Sequence, residues 1–266
     1  MEVLTDNELI FEGNHSLIYR KDEPEGIVTV KLLKDLTPPA QQLAQFNNEF
    51  EITRDLQISG IRRAIRREVV DQRSALVLEY FEGEPVRKVF RKKGWQLERF
   101  LRVAIQAAET LGQIHRSQII HKDISGNNIL VNPQTDELCI IDFGISSRLD
   151  EQFEPLSALR DMEGTLPYIA PEQTGRMNRT VDYRADLYSL GVTFYEMLTG
   201  HLPFVSDDPV QLVHYHLAQR PKPPHVIAPN VPEMISKIVL RLMEKNAEDR
   251  YQSAFGLKTD LERCLN

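Results

Sequence analysis

The sequence predicts an α+β protein, with a β-rich N-terminal lobe built on a small antiparallel sheet and a mainly helical C-terminal lobe. Three observations carry this expectation. The first third holds short runs of β-branched and aromatic residues broken by turn residues. The pattern changes after Glu82-Gly83-Glu84-Pro85, and helical periodicity dominates from Asp186 to the end. The expected divisions are an N-terminal lobe at about 1–80, a hinge at about 79–84 and a C-terminal lobe at about 84–266.

Taken in order, Leu17-Ile18-Tyr19, the turn Lys21 to Gly26, and Ile27 to Leu33 read as a hairpin. A helix from about Pro39 to Leu56 follows, with Phe46, Phe50 and Leu56 near one face. Strands around Ile65–Asp71 and Ala75–Phe81 complete the small sheet. Beyond the change of pattern, Leu97, Leu101, Ala104, Ile105, Ala108 and Leu111 trace one side of a long helix that stops near His115. Two short strands, Ile129–Val131 and Leu138–Ile141, flank the turn Asn132 to Glu137. The stretch Arg220-Pro221-Lys222-Pro223-Pro224 reads as a helix connection.

Composition excludes several classes of function. Of 266 residues, 41% are hydrophobic and 27% charged, as in a soluble globular protein. A net charge of −7 argues against a general nucleic-acid binder. The basic runs Arg62-Arg63 with Arg66-Arg67, and Arg87-Lys88 with Arg91-Lys92-Lys93, read as solvated faces. The cysteines Cys139 and Cys264 make neither a disulfide framework nor a metal-ligand spacing. The acidic start lacks an apolar signal core, and no apolar run approaches a membrane span. The expectation is a cytoplasmic setting without membrane insertion.

The candidate chemistry lies in a few stretches. FEGNHSLIYR, residues 11–20, has the rhythm of a phosphate-cradling hairpin, although Gly13 is its one glycine, and by itself such a stretch reads as an ordinary β-hairpin. Ile120 to Leu130 contains His121-Lys122-Asp123-Ile124-Ser125-Gly126-Asn127-Asn128. Asp142-Phe143-Gly144 follows, and then Glu163-Gly164-Thr165 leads to Ala170-Pro171-Glu172. Singly, Lys31 reads as an edge-strand lysine, Asn128 as a turn residue, and Asp123 and Asp142 as caps or turn formers. Together they resemble the motifs of eukaryotic-type protein kinases. HKDISGNN stands where that family has H-R-D-L-K-P-x-N, and DFG and APE are intact. Val28-Thr29-Val30-Lys31 takes the place of V-A-I-K. The agreement runs from about residue 5 to 263. ITRDL, EGTLPYIAPEQTGRMNRTVDYRADLYSLGVTFYEMLTG and AEDRYQSAFGLKTDLERCL further resemble the N-terminal kinase module of large bacterial hybrid proteins. In those, ATPase-type, GAF and sensor histidine kinase regions follow.

The resemblance implies a bilobal kinase-like fold, ATP with Mg2+ (or Mn2+) as cofactors, a protein substrate and possible downstream domains as partners. It implies metal ligands at Asp142 and Asn128, and Asp123 as the group that orients the attacking hydroxyl. Lys31 would contact the α/β-phosphates, held by Glu49, with Glu51 as the rival acid. Gly13 and Ser16 would face the phosphates. Ile18, Thr29 and Leu130 would sandwich the adenine, with Leu78 behind it and the backbone of Glu79 to Phe81 reading its edge. Phe143, Gly144, Thr165 and Glu172 belong to the implied activation segment, and Thr165 implies serine/threonine preference. His121, Asp186 and Arg250 are implied as structural residues, with Asp186 bracing the catalytic loop and Arg250 tying Glu172.

Three departures bear on activity. Phe11 and Ser16 replace glycines, at an expected cost of about 1 kcal/mol each. Ser125 replaces a lysine near the transferred phosphoryl group, which lowers expected turnover. Lys122 replaces an arginine and loses its bidentate fork. Alternatives from other classes are a nucleotide-binding regulatory module without turnover, and a small-molecule kinase.

Overall fold

In the computed structural model, residues 8–93, 96–149, 166–176 and 180–265 are described. The chain divides into two compact units, Met1–Glu82 with Ile141–Ser146, and Gly83–Ile140 with Ser147–Asn266. Among the described residues no helix is long and apolar enough to cross a membrane.

The first unit is a five-stranded antiparallel sheet with one helix. Its strands are β1 (Leu9–Glu12), β2 (Ser16–Glu23), β3 (Gly26–Leu33), β4 (Ala64–Val70) and β5 (Arg73–Glu79), in the order β1-β2-β3-β5-β4. The helix α1 spans Ala40–Thr53. Alternation along β3 sends Val28, Val30 and Leu32 to one face, where they pack with Tyr19, Ala75 and Val77. Leu33 lies on the other face, against Phe46 of α1, with Leu76 and Leu78 of β5. Lys31 shares that second face by its odd position, and Glu49 shares the face of α1 that holds Phe46, three residues earlier.

The α+β expectation holds, with shifted boundaries. Helix α1 ends before Leu56 because the Leu56 N–H bonds to the Thr53 carbonyl, tightening the chain into a turn. Strand β1 is the lead-in of the hairpin expected around Gly13, and it starts earlier than that stretch, at Leu9. Its residues are exposed throughout, so its strand character comes from pairing with β2 rather than from an alternating pattern. The arginine run is a correction. Arg63, Arg66 and Arg67 pair with Glu79, Glu23 and Glu51, but Arg62 is only 8% exposed.

The second unit is mostly helical. It holds β6 (Glu84–Pro85), α2 (Val86–Lys93), α3 (Leu97–Arg116), β7 (Ile119–Ile120), β8 (Ile129–Val131), β9 (Leu138–Ile140) and β10 (Ser147–Arg148). Then come α4 (Arg184–Thr199), α5 (Pro209–Ala218), α6 (Pro224–Ile227), α7 (Glu233–Leu242) and α8 (Ala254–Leu265). Short ladders join β6-β8-β9 and β10-β7. Helix α4 is buried along almost its whole length, which is why it reads as apolar all round rather than as one stripe. It therefore forms the core on which α2, α7 and the short 3-10 turns rest.

Candidate active site

In the first unit, β3 and α1 bring a cation to two carboxylates. Lys31 Nζ lies 2.6 Å from Glu49 Oε2 and 3.2 Å from Asp142 Oδ1. Glu49 is 1% exposed. Burial works against the charge on Lys31, but the carboxylates of Asp142 and Glu49 outweigh it and hold the ammonium above its ordinary value. Glu51, two residues along the helix, faces outward to Arg54 and Arg67. Asp142 adopts a left-handed backbone, φ 67°, a conformation uncommon for a residue with a side chain. Its Oδ1 also accepts from the Gly144 N–H at 3.4 Å, and Phe143 is fully buried. Asn48 secures this segment, its Nδ2 lying 3.3, 3.0 and 2.8 Å from the carbonyls of Phe143, Gly144 and Ser146.

Other residues expected from the sequence lie on the same sheet. Gly13 donates its N–H to the Ser16 carbonyl, closing the turn between β1 and β2. Ile18 is opposite Lys31, and Thr29, 2% exposed, is opposite the fully buried Leu78. The Glu79 N–H is committed to the Arg63 carbonyl, while Phe81 is partly exposed beyond the end of β5.

In the second unit, the loop from His121 to Asn128 is organised by Asp186 at the start of α4. Asp186 accepts from the backbone N–H groups of His121 (2.8 Å) and Lys122 (2.7 Å), and its Oδ2 lies 2.9 Å from His115 Nε2. Burial opposes its charge, but these partners win and keep the carboxyl below its usual range. The bracing matters because Lys122 also has a left-handed backbone, φ 67°. The buried His121 ring accepts from the Asp123 N–H through Nδ1. Asn128 donates through Nδ2 to the Asp123 carbonyl at 3.0 Å and to Asp123 Oδ2 at 2.8 Å. Ser125 is 2% exposed, and its Oγ accepts from the Asn128 N–H, so its hydroxyl shapes the loop. Leu130 on β8 is buried.

Glu172 and Arg250 form a bidentate pair at 2.6 and 2.8 Å. Arg250 donates further to the carbonyls of Glu244, Arg184 and Lys245. Thr165 lies outside the described residues. Two contributors escaped the sequence reading. Asn48 acts on carbonyls some 95 to 98 positions away, and no local pattern marks it. Gln173, which donates to the Lys122 carbonyl, is likewise unmarked.

A family model described as the protein kinase domain matches residues 4–260. A probable serine/threonine-protein kinase of Clostridium perfringens is 31% identical over 260 residues, which are 96% of this chain and 37% of the relative. The probable serine/threonine-protein kinase PknB of Bifidobacterium longum is 34% identical over 192 residues, 72% of this chain and 27% of the relative. The serine/threonine-protein kinase PknB of Mycobacterium tuberculosis is 33% identical over 192 residues, 72% of this chain and 30% of the relative. The chain spans about a third of the length of these relatives.

Proposed function

Because the chain belongs to the protein kinase domain family, we propose that it transfers the γ-phosphoryl group of ATP to serine or threonine hydroxyls of a protein substrate. The observation that carries this reading is Lys31 clasped between buried Glu49 and Asp142. Phosphoryl transfer asks mainly for positioning and charge neutralisation. A lysine kept protonated and aimed by two acids suits a triphosphate. Asp123, held by Asn128, is the group that receives or orients the proton of the attacking hydroxyl.

The donor set fits a hard divalent cation. Asp142 offers carboxylate oxygen, and Asn128, whose Nδ2 is spent on Asp123, offers its amide oxygen. Mg2+ is the proposed ion, with Mn2+ as the alternative, and when bound it would supply charge screening for the triphosphate. Ser125 holds the loop in shape and leaves the charge to other groups. Gly13, Ser16, Ile18, Thr29, Leu78, Leu130 and the Glu79 to Phe81 backbone are proposed for the nucleotide. Glu172, Arg250 and Asp186 are proposed to fix the loops that meet substrate.

Residues 1–266 are proposed as one kinase domain, with an N-terminal lobe at about 1–80, a hinge at 79–84 and a C-terminal lobe from about 84. The break between compact units at Glu82 and Gly83 supports that division. We further propose a cytoplasmic signalling module within a longer chain, one supported by the fraction of the relatives' length it spans and by the resemblance to hybrid proteins. The test is transfer of labelled γ-phosphate from ATP with Mg2+ to a generic protein substrate. Lys31→Met, Asp123→Asn and Asp142→Asn should each lower turnover by about 10²–10³-fold or more. Tight nucleotide binding by the unaltered protein without transfer would replace this reading with a regulatory binding module.

A further inference from the structure

Beside the Asp123–Asn128 loop, in the same unit, two arginines converge on one carboxylate. Glu196 of α4 is 2% exposed. Its Oε2 accepts from the Tyr168 hydroxyl. Burial, and then the charge of Glu196, push the phenol well above its usual value, so it remains a donor. That leaves Oε1, which lies 3.3 Å from Arg91 Nη2 and 3.8 Å from Arg87 Nε. Among the described residues Glu196 is the one acid within ion-pair distance of either arginine. One arginine suffices to balance it, so the cluster carries a surplus positive charge.

The comparison with Arg250 shows what is unused. Arg250 meets both oxygens of Glu172 and three carbonyls, and its guanidinium is saturated. Arg87 and Arg91 share a single carboxylate oxygen, and their side chains are 32% and 49% exposed. On α2 they stand one turn apart, with the exposed Lys88 beside them. The stripe reaches the loop directly. Arg87 donates its backbone N–H to the Gly126 carbonyl and its Nη1 to Asn127 Oδ1. Position 126 admits this approach because it lacks a side chain. A Cβ there would lie 2.8 Å from Glu196 Oε2 and 3.0 Å from Arg87 Cβ.

We propose that Arg87 and Arg91 select protein substrates carrying Asp or Glu near the acceptor hydroxyl and disfavour those carrying Lys or Arg there. This specificity rests on the kinase reading above. The chemistry is that of a guanidinium fork with open donors, which matches a carboxylate.

Three peptides that differ only in the residues flanking one serine (Glu, Ala or Lys) test the proposal by kcat/KM. The unaltered protein should prefer Glu over Ala and Ala over Lys, by about fivefold per step at low salt, with the preference shrinking as salt rises. Arg91→Glu should reverse the order, and Arg91→Lys should keep part of it. A labelled Glu peptide with alanine at the acceptor position reports binding without turnover, and its affinity should fall in Arg91→Glu while the far-UV circular dichroism of the protein stays that of the folded chain. Equal kcat/KM for the three peptides, or the same Glu-to-Lys ratio in Arg91→Glu, overturns the proposal. If no peptide is phosphorylated, the kinase reading fails separately, and an affinity for the Glu peptide that is the same in Arg91→Glu as in the unaltered protein decides against the arginines.

Discussion

At Arg62 a guanidinium is 8% exposed, and its Nε has no hydrogen-bond partner. Its charge acts on Lys31 in the sense opposite to Asp142 and Glu49. A buried donor left without a partner costs about 1–3 kcal/mol. Arg62→Met, which keeps much of the length and removes the charge, should therefore raise the urea midpoint of unfolding. An unchanged or lowered midpoint would show that Arg62 is satisfied in solution. The sequence had grouped Arg62 with three arginines that do pair at the surface, because composition records charge and not direction. Glu51 stood as a rival to Glu49 beside Lys31 for the same reason. Glu49 and Glu51 are two residues apart, which on a helix turns one toward the sheet and the other toward Arg54 and Arg67.

Among the helices, α4 is the one most tightly enclosed, and its contact with α7 is set at Gly191. A Cβ at that position would lie 2.6 Å from Leu242 Cβ and 3.0 Å from Met243 Cγ. The first of these atoms is fixed to the α7 backbone, so the helices must separate. Gly191→Ala should cost about 1–3 kcal/mol in chemical denaturation, although alanine is intrinsically the better helix former. A stabilising effect would mean that α7 yields freely. Helices α1 and α3 were legible from apolar spacing, since each buries one face. Helix α2 was not, because its eight residues are too few for a period and five of them are basic, which reads as a solvated run. Its role appears only where Arg87 and Arg91 meet Glu196, more than a hundred positions away.

For the molecule as a whole, acid stability should bear the mark of His216. Burial, with the charge of Lys245 behind it, pushes this imidazole down to about 3. It packs against Tyr188 and Phe204, near the Lys245 ammonium, which burial and then Arg250 lower to about 8. The unfolded chain binds a proton at His216 from about pH 6.5 downward and the folded chain does not, so folding stability falls as pH drops from about 6.5 toward 3. The slope from this one group approaches about 1.4 kcal/mol per pH unit. His216→Gln should flatten the urea midpoint against pH over that window, and an unaltered slope would show that carboxylates alone govern acid unfolding.

What the sequence determined by itself was the order of the main elements, α1 and α3 among them, and the short motifs containing Lys31, Asp123, Asn128 and Asp142. Both are written in local spacing, where the period of a strand or helix and the chemistry of a turn act over a few residues. The tertiary structure decided which carboxylate aims Lys31, that Asn48 secures the Asp142 segment and that Ser125 is turned inward. It also decided that two arginines share one oxygen of Glu196. Each of these depends on partners distant in the chain or on which way a side chain faces, and only packing fixes those.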